Sequence, residues 1–133
     1  MSVFLLDTNI VSILFKQNHP LNAKCARLLL RQQLAISFMS RAELLLWPKV
    51  NQWGPRRTEL LQDHLELYAT LFPNGETCEL WSRIIADCFS RGRPMATADA
   101  WIAASARQWN IPLVTTDYRD YESVEGLALV PIE

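Results

Sequence analysis

The stretch "VFLLDTN", Val3 to Asn9, decides how this chain is read: four apolar residues run straight into an aspartate and two small polar residues. An unbroken apolar run of that length is the pattern of a strand covered on both faces, as in a parallel sheet flanked by helices. Asp7 stands where the strand ends. A charge at that place needs a reason.

Outward from this stretch, strand patterns recur in "LAISF" (34–38), "IPLVTTD" (111–117) and "LALVPI" (127–132). Helical spacing lies between them: Ile10 to Phe15, Leu21 to Leu34, a helix starting at Ser40 and stopped by Pro48, then 57–70 and 76–91. Val50 to Arg57 reads as a loop, Pro73, Asn74 and Gly75 as a turn, and "GRP" at 92–94 as a helix end. "MATADAWIAASARQWN" (95–110) is an alanine-rich helix with Trp101, Ile102, Ser105 and Trp109 near one face. Strands alternating with helices predict an α/β fold with a central parallel sheet covered by helices on both faces. Such sheets bind ligands just beyond the carboxyl ends of their strands, which is where Asp7 falls.

A chain of 133 residues fits one domain, expected to span 1–133, and a domain of that size hides roughly 65–70% of its unfolded surface. The apolar runs are far short of the roughly 18 residues that a membrane span needs. The N-terminus also lacks the basic and long apolar segments of a signal peptide, so a cytoplasmic protein with no membrane partner is expected. Cys25, Cys78 and Cys88 show no C-x-x-C spacing and read as buried free thiols. A formal charge of −1 gives no global field for nucleic acid, although local basic patches can still serve.

Four acids fall at corresponding positions of this pattern. Asp7 and Asp117 end two strands, Glu43 lies in the first turn of the helix after the second strand, and Asp99 opens the alanine-rich helix. Each has an ordinary explanation: a helix N-cap for Asp7, a Ser40-to-Glu43 capping box, a favourable dipole position for Asp99, an Asx-turn for Asp117. Together they would repel one another, and a divalent cation removes that cost. An all-oxygen set suits Mg²⁺ or Mn²⁺, which retain waters beside one or two direct carboxylates. Such a site hydrolyses phosphodiesters without a side-chain nucleophile. His19 and His64 form no ligand pattern and read as surface or structural groups.

"LLDTNIVS", "SRAELL" and "ATADAWIAASARQWNIPLVTTDYRDYE", in that order over nearly the whole length, resemble the PIN domain and, within it, the VapC-like toxins of toxin/antitoxin pairs. The resemblance implies a PIN-fold sheet, Mg²⁺- or Mn²⁺-dependent endoribonuclease activity on an RNA substrate, a homodimer, and inhibition by a small cognate antitoxin. It places the family's acids on Asp7, Glu43, Asp99 and Asp117, with Asp120 a weaker fifth. Thr8, Asn9, Ser40 and Thr115 or Thr116 would orient carboxylates or water.

Among the basic residues, Arg41 and Arg119 adjoin the proposed site and are the better candidates for RNA phosphates; Lys49, Arg56, Arg57, Arg91 and Arg93 are the others. Trp53 is either a loop cover or an anchor for the antitoxin or the dimer. Two rival readings remain. A haloacid-dehalogenase-type phosphatase also ends its first strand in aspartate, but it needs a second Asp where this chain has Asn9. A catalytically inactive PIN-like module would bind RNA or a partner without cutting. Walker and dinucleotide loops cannot be written with glycines only at 54, 75, 92 and 126.

Overall fold

The computed structural model describes residues 2–132. Its elements run β1 (Val3–Leu6), α1 (Thr8–Phe15), α2 (Asn22–Leu28), β2 (Gln33–Ser37), α3 (Phe38–Val50) and α4 (Pro55–Leu65), then β3 (Ala69–Leu71), α5 (Gly75–Ser90), α6 (Thr97–Trp109), β4 (Leu113–Thr115), α7 (Tyr118–Tyr121) and β5 (Leu129–Pro131). The strands form one all-parallel sheet in the order β3-β2-β1-β4-β5. In register, Leu5 faces Ala35 and Leu113, and Leu6 faces Ile36 and Val114.

The apolar run of β1 is explained by its central place. Leu6, Ile36 and Val114 point to one face, where they meet Ile10, Val11, Cys25, Leu44 and Leu61 of α1 to α4. Leu5, Ala35 and Leu113 point to the other, against Ile84, Cys88, Ile102 and Ala103 of α5 and α6. Leu5 and Leu6 are both fully buried, each contributing roughly 1.5–3 kcal/mol. Both faces are filled, so a one-residue slip of β1 would exchange the two sets and misfit both.

Strand order reverses between β1 and β4. Chains leaving these two strands turn to opposite sides and leave a crevice at their carboxyl ends.

Several boundaries differ from the sequence expectation. The helix expected over 21–34 stops at Leu28, because Arg31 takes a left-handed turn (φ 65°) that delivers Gln33 to pair with Ser2. β2 accordingly starts one residue early. The helix of 57–70 ends at Leu65 and is followed by β3, a three-residue edge strand held by β2. Pro48 does not stop its helix; it is buried in the last turn, whose hydrogen bonds continue through Asn51 N to Trp47 O at 3.0 Å. That helix starts at Phe38, capped by Ser37 Oγ accepting from Met39 N. Cys25 and Cys88 are buried as expected, whereas Cys78 is exposed on α5.

Candidate metal centre at the carboxyl end of the sheet

Asp7 is both a helix cap and a site carboxylate, so its two readings are not alternatives. Its backbone is extended (φ −62°, ψ 156°), and its carbonyl accepts from Ile10 N at 3.0 Å, which starts α1. The residue is only 5% exposed. Oδ1 accepts from Thr8 N at 2.9 Å and from the Tyr121 hydroxyl at 3.1 Å; Oδ2 accepts from Thr115 Oγ1 at 2.8 Å.

The hydroxyl groups around Asp7 reach the other acids. The single Tyr121 hydroxyl hydrogen is shared between Asp7 Oδ1 and Asp99 Oδ1, the latter at 3.3 Å, so one phenol joins two carboxylates. Thr115 Oγ1 accepts from Asp117 N at 2.9 Å, and Asn9 Nδ2 donates to the Asp117 carboxylate. Thr8 Oγ1 donates to Glu43 Oε1 at 2.9 Å and shares a 2.8 Å hydrogen bond with Ser40 Oγ, whose hydroxyl supplies the hydrogen. The Ser40-to-Glu43 capping box is therefore not formed: Ser37 caps α3, and Ser40 and Glu43 turn together toward Thr8.

Electrostatics record the same convergence. Burial raises the Asp7 carboxyl above its usual range, with the bonds from Thr115, Tyr121 and Thr8 N working against it and the charge of Asp117 adding to it. Asp99 is pushed up to about 6 by burial, then by the charges of Asp7 and Asp120, with the Tyr121 bond opposing and Glu43 adding. Burial and the two flanking carboxylates push the Tyr121 phenol far up, so it stays a neutral donor.

No ion pair relieves this charge: the pairs among the described residues are Arg41–Glu66 (3.7 Å), Arg91–Asp87 (2.5 Å) and Arg93–Glu122 (3.4 Å). Among the described residues, no three His, Cys, Asp or Glu side chains stand close enough together to hold a metal ion by themselves as they are placed. Oxygen donors that crowd without closing fit a hard divalent ion that keeps several waters, as Mg²⁺ does. They do not fit a four-ligand structural zinc site.

The remaining candidates are placed as follows. Asp120 lies in the first turn of α7 and lines, with Asp99, Arg93 and Arg119, a cavity of 210 Å³. Arg41 turns away toward the β3 edge, bonded to Glu66 and to Thr70 Oγ1. Thr116 is half-buried and makes no side-chain hydrogen bond among the described residues. Trp53 stacks on Phe15 (centroids 6.1 Å apart) with the Arg57 guanidinium 3.8 Å from its ring centre, on the α1–α4 side of the molecule. His64 pairs with Tyr68 and His19 accepts from Leu21 N, both structural roles. Both oxygens of Asp7 accept hydrogen bonds and Asn9 faces Asp117, an arrangement unlike a phosphatase with a free aspartyl nucleophile.

Sequence reasoning missed Tyr121. Its only signal was an aromatic four residues past the strand-end aspartate, in a run where the neighbouring Tyr118 is exposed.

Comparison with known proteins agrees with this geometry. The chain is 29% identical over 129 residues to Ribonuclease VapC1 of Haemophilus influenzae strain R2866, covering 94% of each. It is 28% identical over 127 residues to the tRNA(fMet)-specific endonuclease VapC of Shigella flexneri, covering 96% of each. It superposes on a chain of VapBC-1 from nontypeable Haemophilus influenzae with a TM-score of 0.83, at 26% identity and 97% coverage of both. The PIN domain pattern matches residues 4–127, and with that match over nearly the full length, an all-parallel sheet and acids gathered at its switch point, the chain belongs to the PIN-domain family.

Proposed function

We propose that this protein is a cytoplasmic, Mg²⁺- or Mn²⁺-dependent endoribonuclease, the toxin of a toxin/antitoxin pair, working as a homodimer and restrained by a small cognate antitoxin. The observation that carries the reading is the buried Asp7 at the β1/β4 crevice, joined through the Tyr121 hydroxyl to Asp99, with no cation paired to either among the described residues. The names of the two VapC relatives and of the VapBC-1 complex support the reaction and the partner.

In this reading Asp7 and Asp99 hold the ion, Glu43 and Asp117 take positions around it, and Asp120 stands at the cavity rim. A divalent ion bound there supplies Lewis-acid polarisation of a phosphoryl oxygen and a water acidic enough to act as nucleophile. Thr8 fixes Glu43, Asn9 fixes Asp117, and Thr115 and Tyr121 fix both oxygens of Asp7, so the carboxylates need not reorganise when substrate arrives. Arg119, on the rim of the Asp99 cavity, is placed to take a phosphate.

The test is cleavage of assorted RNAs in Mg²⁺ or Mn²⁺ and in EDTA, with the wild type and Asp7→Asn. Cleavage only by the wild type with the ion is expected. RNA left intact in every lane would turn the reading to a binding module, and cutting that persists in EDTA would remove the ion.

A further inference from the structure

Four of the chain's ten arginines line two adjoining cavities, Arg83 and Arg107 the one and Arg93 and Arg119 the other, which together form a groove between the α5–α6 pair and the segment that follows α7; Arg91 bonds to Ser123 where they meet. The upper end of the groove is the cavity holding Asp99 and Arg119. Its lower end is a cavity of 390 Å³ lined by Arg83, Arg107, Asp87 and Glu125, floored by the buried Cys88 and Val124. Ser123 joins the two: it lines the upper cavity, its Oγ lies 3.8 Å from Cys88 Sγ, and its carbonyl accepts from Arg91.

The charges along this path are unevenly satisfied. Arg91 is held by Asp87 and Arg93 by Glu122, whereas Arg83, Arg107 and Arg119 are in no ion pair among the described residues. Arg107 is seated by a glycine: Gly126 has φ +77°, and a Cβ there would stand 3.2 Å from Arg107 Nε, so the bare backbone lets the guanidinium lie against the loop. From Asp99 to Arg107 is eight residues of α6, roughly 12 Å along its axis. A substrate strand cut beside Asp99 and following α6 would meet Arg107 over that span.

Resting on the ribonuclease reading, we propose that this groove carries the RNA strand away from the acidic centre, with Arg83 and Arg107 binding backbone phosphates beyond the cleaved bond. Arginine suits the task because its planar fork meets phosphate oxygens two at a time. Among the described residues no aromatic side chain lines the lower cavity, which argues against a protein docking there. Among the described residues, Glu125 is the acid of the lower cavity left opposing the arginines, since Arg91 takes Asp87.

Fluorescence anisotropy of a labelled single-stranded RNA on the full chain, in EDTA and over a salt series, reads the groove whether or not the chain cuts. Arg83→Gln with Arg107→Gln should weaken binding about tenfold and lower the log–log salt slope by about 1.4, at roughly 0.7 per phosphate contact on a single strand. The charge-matched pair Arg27→Gln with Arg31→Gln, both exposed and on the opposite side of the sheet, should change neither. Arg107→Gln alone should lower the slope by about half as much. Wild-type affinity and slope in the 83/107 double variant, or an equal loss in the 27/31 pair, would overturn the proposal. So would loss of a partner protein's binding with RNA binding intact. A wild type that binds RNA with this slope yet never cleaves it would sink the nuclease reading and leave the groove standing.

Discussion

Two tyrosines are buried in this molecule, and their hydroxyls sit in contrasting company. Tyr68, on the α4 side, shares a 2.8 Å hydrogen bond with His64 Nε2 one helical turn away, and Phe15 packs its edge against the same imidazole. Burial alone lowers the His64 pKa and raises that of Tyr68, so both partners are neutral and the pair is a satisfied polar spot in an apolar layer. Tyr121 also has a buried hydroxyl, but its partners are two carboxylates that come from 114 and 22 residues away, and both carry raised pKa values. One region uses its polar groups to close the fold. The other keeps charge in a place where the fold gains least from it, which is the usual signature of a site whose use lies in binding.

The sharpest break of this comparison is Asp7→Asn. Removing the charge while keeping the shape should lower RNA cleavage by at least about a hundredfold, beyond the range seen for groups that only orient a ligand. The same change should leave the melting temperature of the ion-free chain at or above the wild-type value, since a carboxylate that burial opposes is gone. A strongly destabilised variant would move Asp7 into the class of Tyr68.

Tyr121→Phe comes next. It removes the donor shared by Asp7 and Asp99, and cleavage should fall about 10- to 100-fold. Because the phenol lowers both carboxyl pKa values, its loss should also move the acidic limb of the rate profile to higher pH. An unmoved profile would reduce Tyr121 to a filler of space.

The matched change on the other side is Tyr68→Phe. It leaves His64 without its partner and should cost about 1 kcal/mol of stability, or roughly 4 °C in melting temperature for a domain of this size. Cleavage should be unchanged. A fall in cleavage without a fall in melting temperature would erase the distinction between the two regions.

The difference between these regions also explains what the sequence discloses. β1 is legible because both of its faces are covered, which makes "VFLL" a continuous apolar run, and Asp7 is legible because it interrupts that run. β3 is not: "ATL" is three residues at the sheet edge, and only pairing with β2 makes it a strand. Ser40 and Glu43 satisfy the spelling of a capping box, yet Ser37 caps the helix and both side chains meet Thr8, 32 and 35 residues away in sequence. Local grammar locates the acids at element ends. It says nothing of the hydroxyls that join them, because Tyr121 and Thr115 find Asp7 only through the strand order.

The smallest effect, and the most direct measure of stored charge, is the pH dependence of stability in EDTA. Asp99 titrates near 6 in the folded chain against 3.8 for an ordinary aspartate in water, and Asp7 is shifted the same way. Between those values the folded chain binds more protons than the unfolded one, so this contribution to stability falls as pH rises through the window and is complete only below it. Other carboxylates titrate over the same range, so the readable quantity is the difference between the wild type and Asp99→Asn. Relative to that variant, the wild type should lose roughly 2–4 °C of melting temperature between about pH 4 and pH 7, a small shift because Asp99 is half-buried and partly screened by solvent. Mn²⁺ in excess favours the ionised form and should abolish the loss in the wild type while leaving Asp99→Asn little changed. Parallel curves for the two chains would mean that Asp99 carries no stored repulsion and that the acids of this crevice do not act on one another.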